Sequence, residues 1–219
     1  MASDLFKHVV RELSAGVVAI SILLLFIAVL LGFGACQKSV ALESFNGWVY
    51  SALSHLRGSC DKTVMLLTKL GDPVPTVMIC LLGSLVFYAK GWRREAVVLL
   101  ASAVACVVLV YLLKFAFNIE RPCDKPLIAL PGSPSYPSAH AACSLVVFGL
   151  IGIILSAKLR LFGFSKLGSV LIAALFFVLA FIIGTSRIYV GVHWATDVIG
   201  GFIIAASVLV LASDIALQP

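Results

Sequence analysis

The chain has 219 residues, of which 62% are hydrophobic and only 12% charged, with a mean hydropathy of +1.14. Such values exclude a soluble globular domain and describe an integral membrane protein. The net charge of +6 would suggest nucleic acid in a soluble protein, but here the basic residues cluster in short loops between apolar runs, which argues against a nucleic-acid partner.

After a short opening of mixed charge, MASDLFKHVVREL, the uncharged run 15–35 is long enough to cross a bilayer. Its basic start, apolar centre and Gly34-Ala35 before Cys36 also resemble a lipoprotein cleavage site, though Phe33 and the length of the run weaken that alternative. From 37 to 72 the chain turns polar, yet Phe45, Trp48, Val49, Ala52, Leu53 and Leu56 recur at helical spacing. That pattern predicts a short helix, either lying at the membrane surface or packed as a loop helix on the bundle. The Gly71-Asp72-Pro73 break precedes a second span, 74–89, which ends in the basic turn Lys90, Arg93 and Arg94. A third span, 96–113, ends at Lys114. Residues 118–137 hold five of the eight prolines, so they should form an irregular loop. A fourth span, 139–156, leads to Lys158, Arg160 and Lys166. The fifth covers 167–184 and the sixth 194–212, the last with His193 and Asp197 at i and i+4 if the helix begins at His193. The expected fold is an all-α integral membrane bundle of six transmembrane helices, one domain over 1–219, with short surface helices in the first extracytoplasmic segment.

Basic residues near the span ends, Lys7, Arg11, Lys90, Arg93, Arg94, Lys158, Arg160 and Lys166, mark one side as cytoplasmic. Both termini then lie inside, and three polar stretches lie outside. The compact core suggests a bacterial inner membrane, with those stretches facing the periplasm or exterior. Cys60 and Cys123 fall in outer loops, where a disulfide is permitted. No cysteine pair or histidine has zinc spacing, so no metal is expected.

The three stretches are KFAFNIERP at 114–122, YPSAHAA at 136–142 and TSRIYVGVHWATDVIGG at 185–201. Phosphoryl transfer needs preorganised donors for the equatorial oxygens, a nucleophile in line with the leaving group, and an acid for the leaving oxygen. Lys114, Arg121 and Arg187 supply three cations, and Ser138 supplies a hydroxyl. If the fourth span starts there, the amides of Ala139 and His140 add a helix N-terminus. His193 and His140 can divide the work of nucleophile and acid, with Asp197 orienting His193. Each residue taken singly has a plainer reading. Lys114 and Arg121 would snorkel to the headgroups, and Ser138 would cap a helix. His140 would be structural, and Asp197 would form a buried pair with His193 or with Arg187.

Together the stretches resemble the three signature motifs of the type 2 phosphatidic acid phosphatase superfamily: a Lys separated by six residues from Arg-Pro, a Pro-Ser-Gly-His, and a Ser-Arg with His and Asp at fixed spacing. The resemblance implies that His193 attacks phosphorus to form a phosphohistidine while Asp197 orients and charges it. It implies that His140 protonates the leaving oxygen and later activates water, and that Lys114, Arg121, Ser138 and Arg187 hold the phosphate without a metal or other cofactor. Ala139 stands where the family most often has glycine; an alanine costs little there if the residue is already helical. The implied substrate is a phospholipid or polyprenyl phosphate: phosphatidylglycerophosphate, phosphatidic acid, undecaprenyl pyrophosphate or lipid A phosphate. Transfer to another lipid or sugar, or anion binding without catalysis, are the alternative functions. The headgroup is expected to enter laterally from the bilayer, with residues 37–72 as a lid.

Overall fold

The structure, a computed structural model, describes residues 13–218. Among these residues are eight helices: α1 (Ala15–Cys36), α2 (Val40–Ser54), α3 (Asp61–Lys69), α4 (Pro73–Ala89), α5 (Arg93–Phe117), α6 (Ala139–Leu161), α7 (Lys166–Tyr189) and α8 (Ala195–Leu217). Helices α1, α5, α6, α7 and α8 are each long and apolar enough to cross a membrane. Hydroxyls start three of them. Ser14, Ser138 and Ser165 sit in extended backbone and accept from the first-turn amides of Val17, Ala141 and Gly168.

The second predicted span differs from the other five. Helix α4 has only 17 residues and meets α3 at 53°, so the two read as one broken span or as a re-entrant pair, and the candidate spans among the described residues number five or at most six. Pro73, fixed at the first helical position, starts α4 cleanly because its missing N–H would have no helical partner there. The long helices also run further than their apolar stretches, to Phe117, Leu161, Tyr189 and Leu217. Lys114 and Arg187 thereby fall in the last turns of α5 and α7.

Helix α6 is central, packed against α7, α8 and α5, and α1 lies along α8. Phe87, Leu99, Val147, Leu150, Ile154 and Leu209 fill the half near the basic turns, and Cys106, Val110, Ala142, Val146 and Ala205 continue the core toward the motifs. Helix α1 is tied to α8 within the apolar layer, where the hydroxyls of Ser21 and Ser207 lie 2.8 Å apart. Gly201 lets α8 approach the start of α6: a Cβ there would stand 2.6 Å from the Ser138 carbonyl oxygen.

Helix α2 is packed on the bundle. Phe45, Val49 and Leu53 meet Ile188, Ala195 and Val198, while buried Asn46 exchanges two 3.0 Å hydrogen bonds with Thr196. Trp48, on the opposite face, is 70% exposed. The basic turns gather at one end of the molecule: Lys158 pairs with Glu95 and lies over the Trp92 ring, and Arg94 donates to the Gln218 carbonyl. Helices α5, α6, α7 and α8 place all three motifs at the other end. Lys7 and Arg11 lie outside the described residues. All six cysteines are free, so the permitted pairing of Cys60 with Cys123 is not formed.

Candidate active site

Four charged or titratable motif residues, Lys114, Arg187, His193 and Asp197, are each 3% exposed or less. Buried ions are costly unless paired or hydrogen-bonded, so their grouping needs a reason. The centre is the turn between α7 and α8. Helix α8 begins at Ala195, two residues later than the i,i+4 reading required, with Trp194 as its N-cap residue. Asp197 is therefore the third helical residue, and its Oδ2 accepts from the Trp194 amide at 2.8 Å. The same oxygen accepts from the Ser135 hydroxyl and faces His193 Nδ1 at 3.1 Å. The predicted His–Asp contact is present, but a helix cap and not a helical repeat creates it.

That contact sets the tautomer. With Nδ1–H donating to Asp197, Nε2 keeps its lone pair, and Arg121 Nη1 donates to it at 3.0 Å. Burial, followed by the cations of Arg121, Lys114 and Arg187, pushes the His193 imidazole well below the ordinary histidine range. Burial likewise lowers Arg121, with Asp197 opposing the shift.

Arg121 is fully engaged. Its Nε donates to the Ser133 carbonyl at 2.9 Å, Nη1 to the Val192 carbonyl at 2.8 Å, and Nη2 to the Ser133 hydroxyl and Pro134 carbonyl, both at 3.2 Å. It thus stitches the proline-rich loop to the His193 turn. Lys114 Nζ reaches the carbonyls of Pro134 and Ser135. Arg187 is different: Nη1 donates to Thr68 Oγ1 at 2.9 Å, while its buried Nε has no partner. It does not bond Asp197, whose Oδ1 is also buried without a partner. Among the three cations, Arg187 is the one with a buried donor left unpaired.

The second motif joins through α6. The Ser138 amide donates to the Asp197 carbonyl at 3.0 Å, fixing the two helix starts together, and the Ser138 hydroxyl caps α6. Ala139 is the first residue of α6 and is not at positive φ, so the backbone there asks nothing of glycine. His140 meets a partner the sequence did not flag, with Nε2 2.9 Å from Asp72 Oδ1.

This ordered set of motifs on five apolar helices has a known counterpart, because residues 95–217, more than half of the chain, match the PAP2 superfamily. The chain belongs to the PAP2 superfamily. Its PAP2 relatives include phosphatidylglycerophosphatase B of Bacillus subtilis, 32% identical over 126 residues covering 57% of this chain and 59% of the relative. Another is an undecaprenyl-diphosphatase of Sulfolobus acidocaldarius, 26% identical over 179 residues, covering 80% of this chain and 77% of the relative. The matched region thus spans a little over half of the first relative and about three quarters of the second. The fold resembles that of a transmembrane PAP2-type phosphatidylglycerolphosphate phosphatase from Bacillus subtilis, with a TM-score of 0.74 at 24% identity over 88% of this chain and 93% of that one.

Three residues of this candidate site were not singled out from sequence: Thr68, Asp72 and Ser135. Ser135 sits one residue before the predicted YPSAHAA stretch, so a wider window would have included it. Thr68 and Asp72 lie more than 60 positions from the side chains they hold, and no local pattern links them.

Proposed function

We propose that the protein is a membrane lipid phosphatase that hydrolyses a phosphate monoester or pyrophosphate through a phosphohistidine on His193, without a metal. The observation that carries this reading is the pair of contacts on one ring, Nδ1 to the Asp197 carboxylate and Nε2 to the Arg121 cation. An imidazole so held has its free lone pair in a cationic, water-poor setting, as a nucleophile for an anionic phosphate requires. In the proposed step the phosphate displaces the Arg121 contact and Nε2 attacks phosphorus. The bond to the leaving oxygen breaks, and that oxygen takes a proton from His140. Water, giving its proton to His140, then cleaves the phosphorus–nitrogen bond. Lys114, Arg121, Arg187, Ser138 and the Ala139 amide hold the phosphate oxygens.

The names of the two relatives support a phospholipid or polyprenyl substrate of the phosphatidylglycerophosphate or undecaprenyl pyrophosphate kind. The grouping of Lys90, Arg93, Arg94, Lys158 and Arg160 opposite the motifs supports a site on the extracytoplasmic face of a bacterial inner membrane. An apolar cleft of about 570 Å³, lined by Leu24, Leu145, Phe177, Phe181, Ile199 and Phe202, opens between α1, α6, α7 and α8. None of the charged or histidine motif residues lines it, so it is not the reaction site. Phe181 and Phe202 lie within two turns of Arg187 and Asp197, which suits lateral entry with the substrate's hydrocarbon chain in the cleft.

Phosphate release from a panel of lipid phosphates, measured with and without EDTA, tests the proposal. Release should persist in EDTA; loss of all activity would contradict the metal-free route. Labelled phosphate recovered only as the free anion would exclude transfer to a second lipid.

A pH profile follows from the His193 environment. The nucleophile is the neutral ring, and a depressed pKa keeps the ring neutral as pH falls through the usual histidine range. Once the substrate's own ionisation is factored out, the acidic limb of kcat/KM should lie well below pH 6.5, the ordinary histidine value. A limb at or above it would show that His193 is not so shielded.

A further inference from the structure

The elbow joining α3 to α4 carries two contacts one helical turn apart, and both end on motif residues. Thr68 accepts from Arg187 at 2.9 Å, and Asp72 faces His140 at 2.9 Å. Gly71 lies between them and is fitted to the same wall: a Cβ there would come within 2.4 Å of Ile183 and 2.9 Å of the His140 ring. Asp72 occupies the N-cap position of α4, where an aspartate ordinarily accepts from the helix's own amides. Here it makes no such bond. Pro75, third in the helix, has no N–H to offer, which leaves Val74 as the one amide in capping position, and the carboxylate turns to His140 instead. The pair it forms with His140 is half exposed on the Asp72 side, at 46%, and an ion pair that open adds little to stability.

We infer that Asp72 is a positioning residue for His140, forming a second carboxylate–imidazole pair that serves the acid–base half of the reaction as Asp197 serves the nucleophile. The inference rests on the phosphatase reading above. With Nε2–H held by Asp72, Nδ1 is the nitrogen left to act. The protonated ring gives its Nδ1 proton to the leaving oxygen as the bond from His193 to phosphorus forms. The neutral ring then recovers a proton from the attacking water. The Asp72 carboxylate fixes the ring plane and stabilises its cationic form in both steps.

A carboxylate serving the acid matters in proportion to how much the leaving oxygen needs a proton. The test compares kcat/KM for a short-chain phosphatidic acid, whose alkoxide is a poor leaving group, with that for p-nitrophenyl phosphate, whose phenolate leaves unaided. Asp72→Asn should lose about ten- to a hundredfold on the first and less than about threefold on the second. Thr68→Val, which unties the phosphate clamp Arg187 instead, should lower both substrates by the same factor. Should Asp72→Asn fail to fold, Asp72→Glu keeps the charge, displaces it by one methylene and should show a smaller loss with the same selectivity. Equal losses on the two substrates, or no loss on either, would overturn the inference. His193→Ala retaining both activities would instead sink the phosphatase reading on which it rests.

Discussion

His193→Ala should lower kcat/KM on every lipid phosphate by about 10⁴-fold or more, because on the proposed route its Nε2 forms the bond to phosphorus and no other group can take its place. The fold should tolerate the change. Removing the ring frees one Arg121 N–H and one acceptor position on Asp197, each of which keeps other partners. Inorganic phosphate should still bind through Lys114 and Arg187, which separates lost chemistry from lost structure. Wild-type protein quenched during turnover should carry phosphate that is labile in acid and stable in base, as a phosphorus–nitrogen bond is; the variant should carry none. Phosphate release by His193→Ala at the wild-type rate would favour an anion-binding or carrier protein on the same helices.

Much of this site was legible because phosphate chemistry demands residue types that a membrane span otherwise avoids. Lys114, Arg187, His193 and Asp197 stand out against apolar runs, and the structure places them at one end of the bundle. Helix limits were legible only where a residue enforces them, as Ser138 does for α6 and Pro73 for α4. Elsewhere the apolar run stops at the first charge, although main-chain hydrogen bonding continues through it. That is why α5 and α7 extend past 113 and 184 and carry Lys114 and Arg187 inside their last turns. The His193–Asp197 contact was read as a helical repeat beginning at His193, two residues before α8 starts, because the pair fits such a repeat as well as it fits a cap. The broken α3–α4 pair was hidden for a different reason. Gly71-Asp72-Pro73 signals a break, but a break says nothing of what the elbow will meet, and its partners His140 and Arg187 are set by tertiary packing alone.

Asp197→Asn should cost about 10³-fold in kcat/KM while leaving the protein folded, and the two halves of that expectation come from the two carboxylate oxygens. Oδ2 carries the structural load, accepting from the Trp194 amide, the Ser135 hydroxyl and His193 Nδ1. An asparagine oxygen in the same place keeps all three, with the Trp194 N–H, a fixed donor, selecting that orientation over its flip. The new amide NH₂ then falls where Oδ1 now has no partner, so no existing bond is broken. What disappears is the negative charge beside a ring that, on the proposed route, becomes cationic on phosphorylation. One unit charge at about 4 Å in a medium of effective dielectric about 20 is worth about 4 kcal/mol, and at 1.36 kcal/mol per decade that is about three decades of rate. Asp197→Ala should fall at least as far in rate and, having also lost the α8 cap and the Ser135 tie, should melt several degrees lower. The comparison isolates charge from architecture. If Asp197→Asn keeps its activity within tenfold of wild type, the carboxylate serves only to cap α8, and the nucleophile must be activated by the surrounding cations alone.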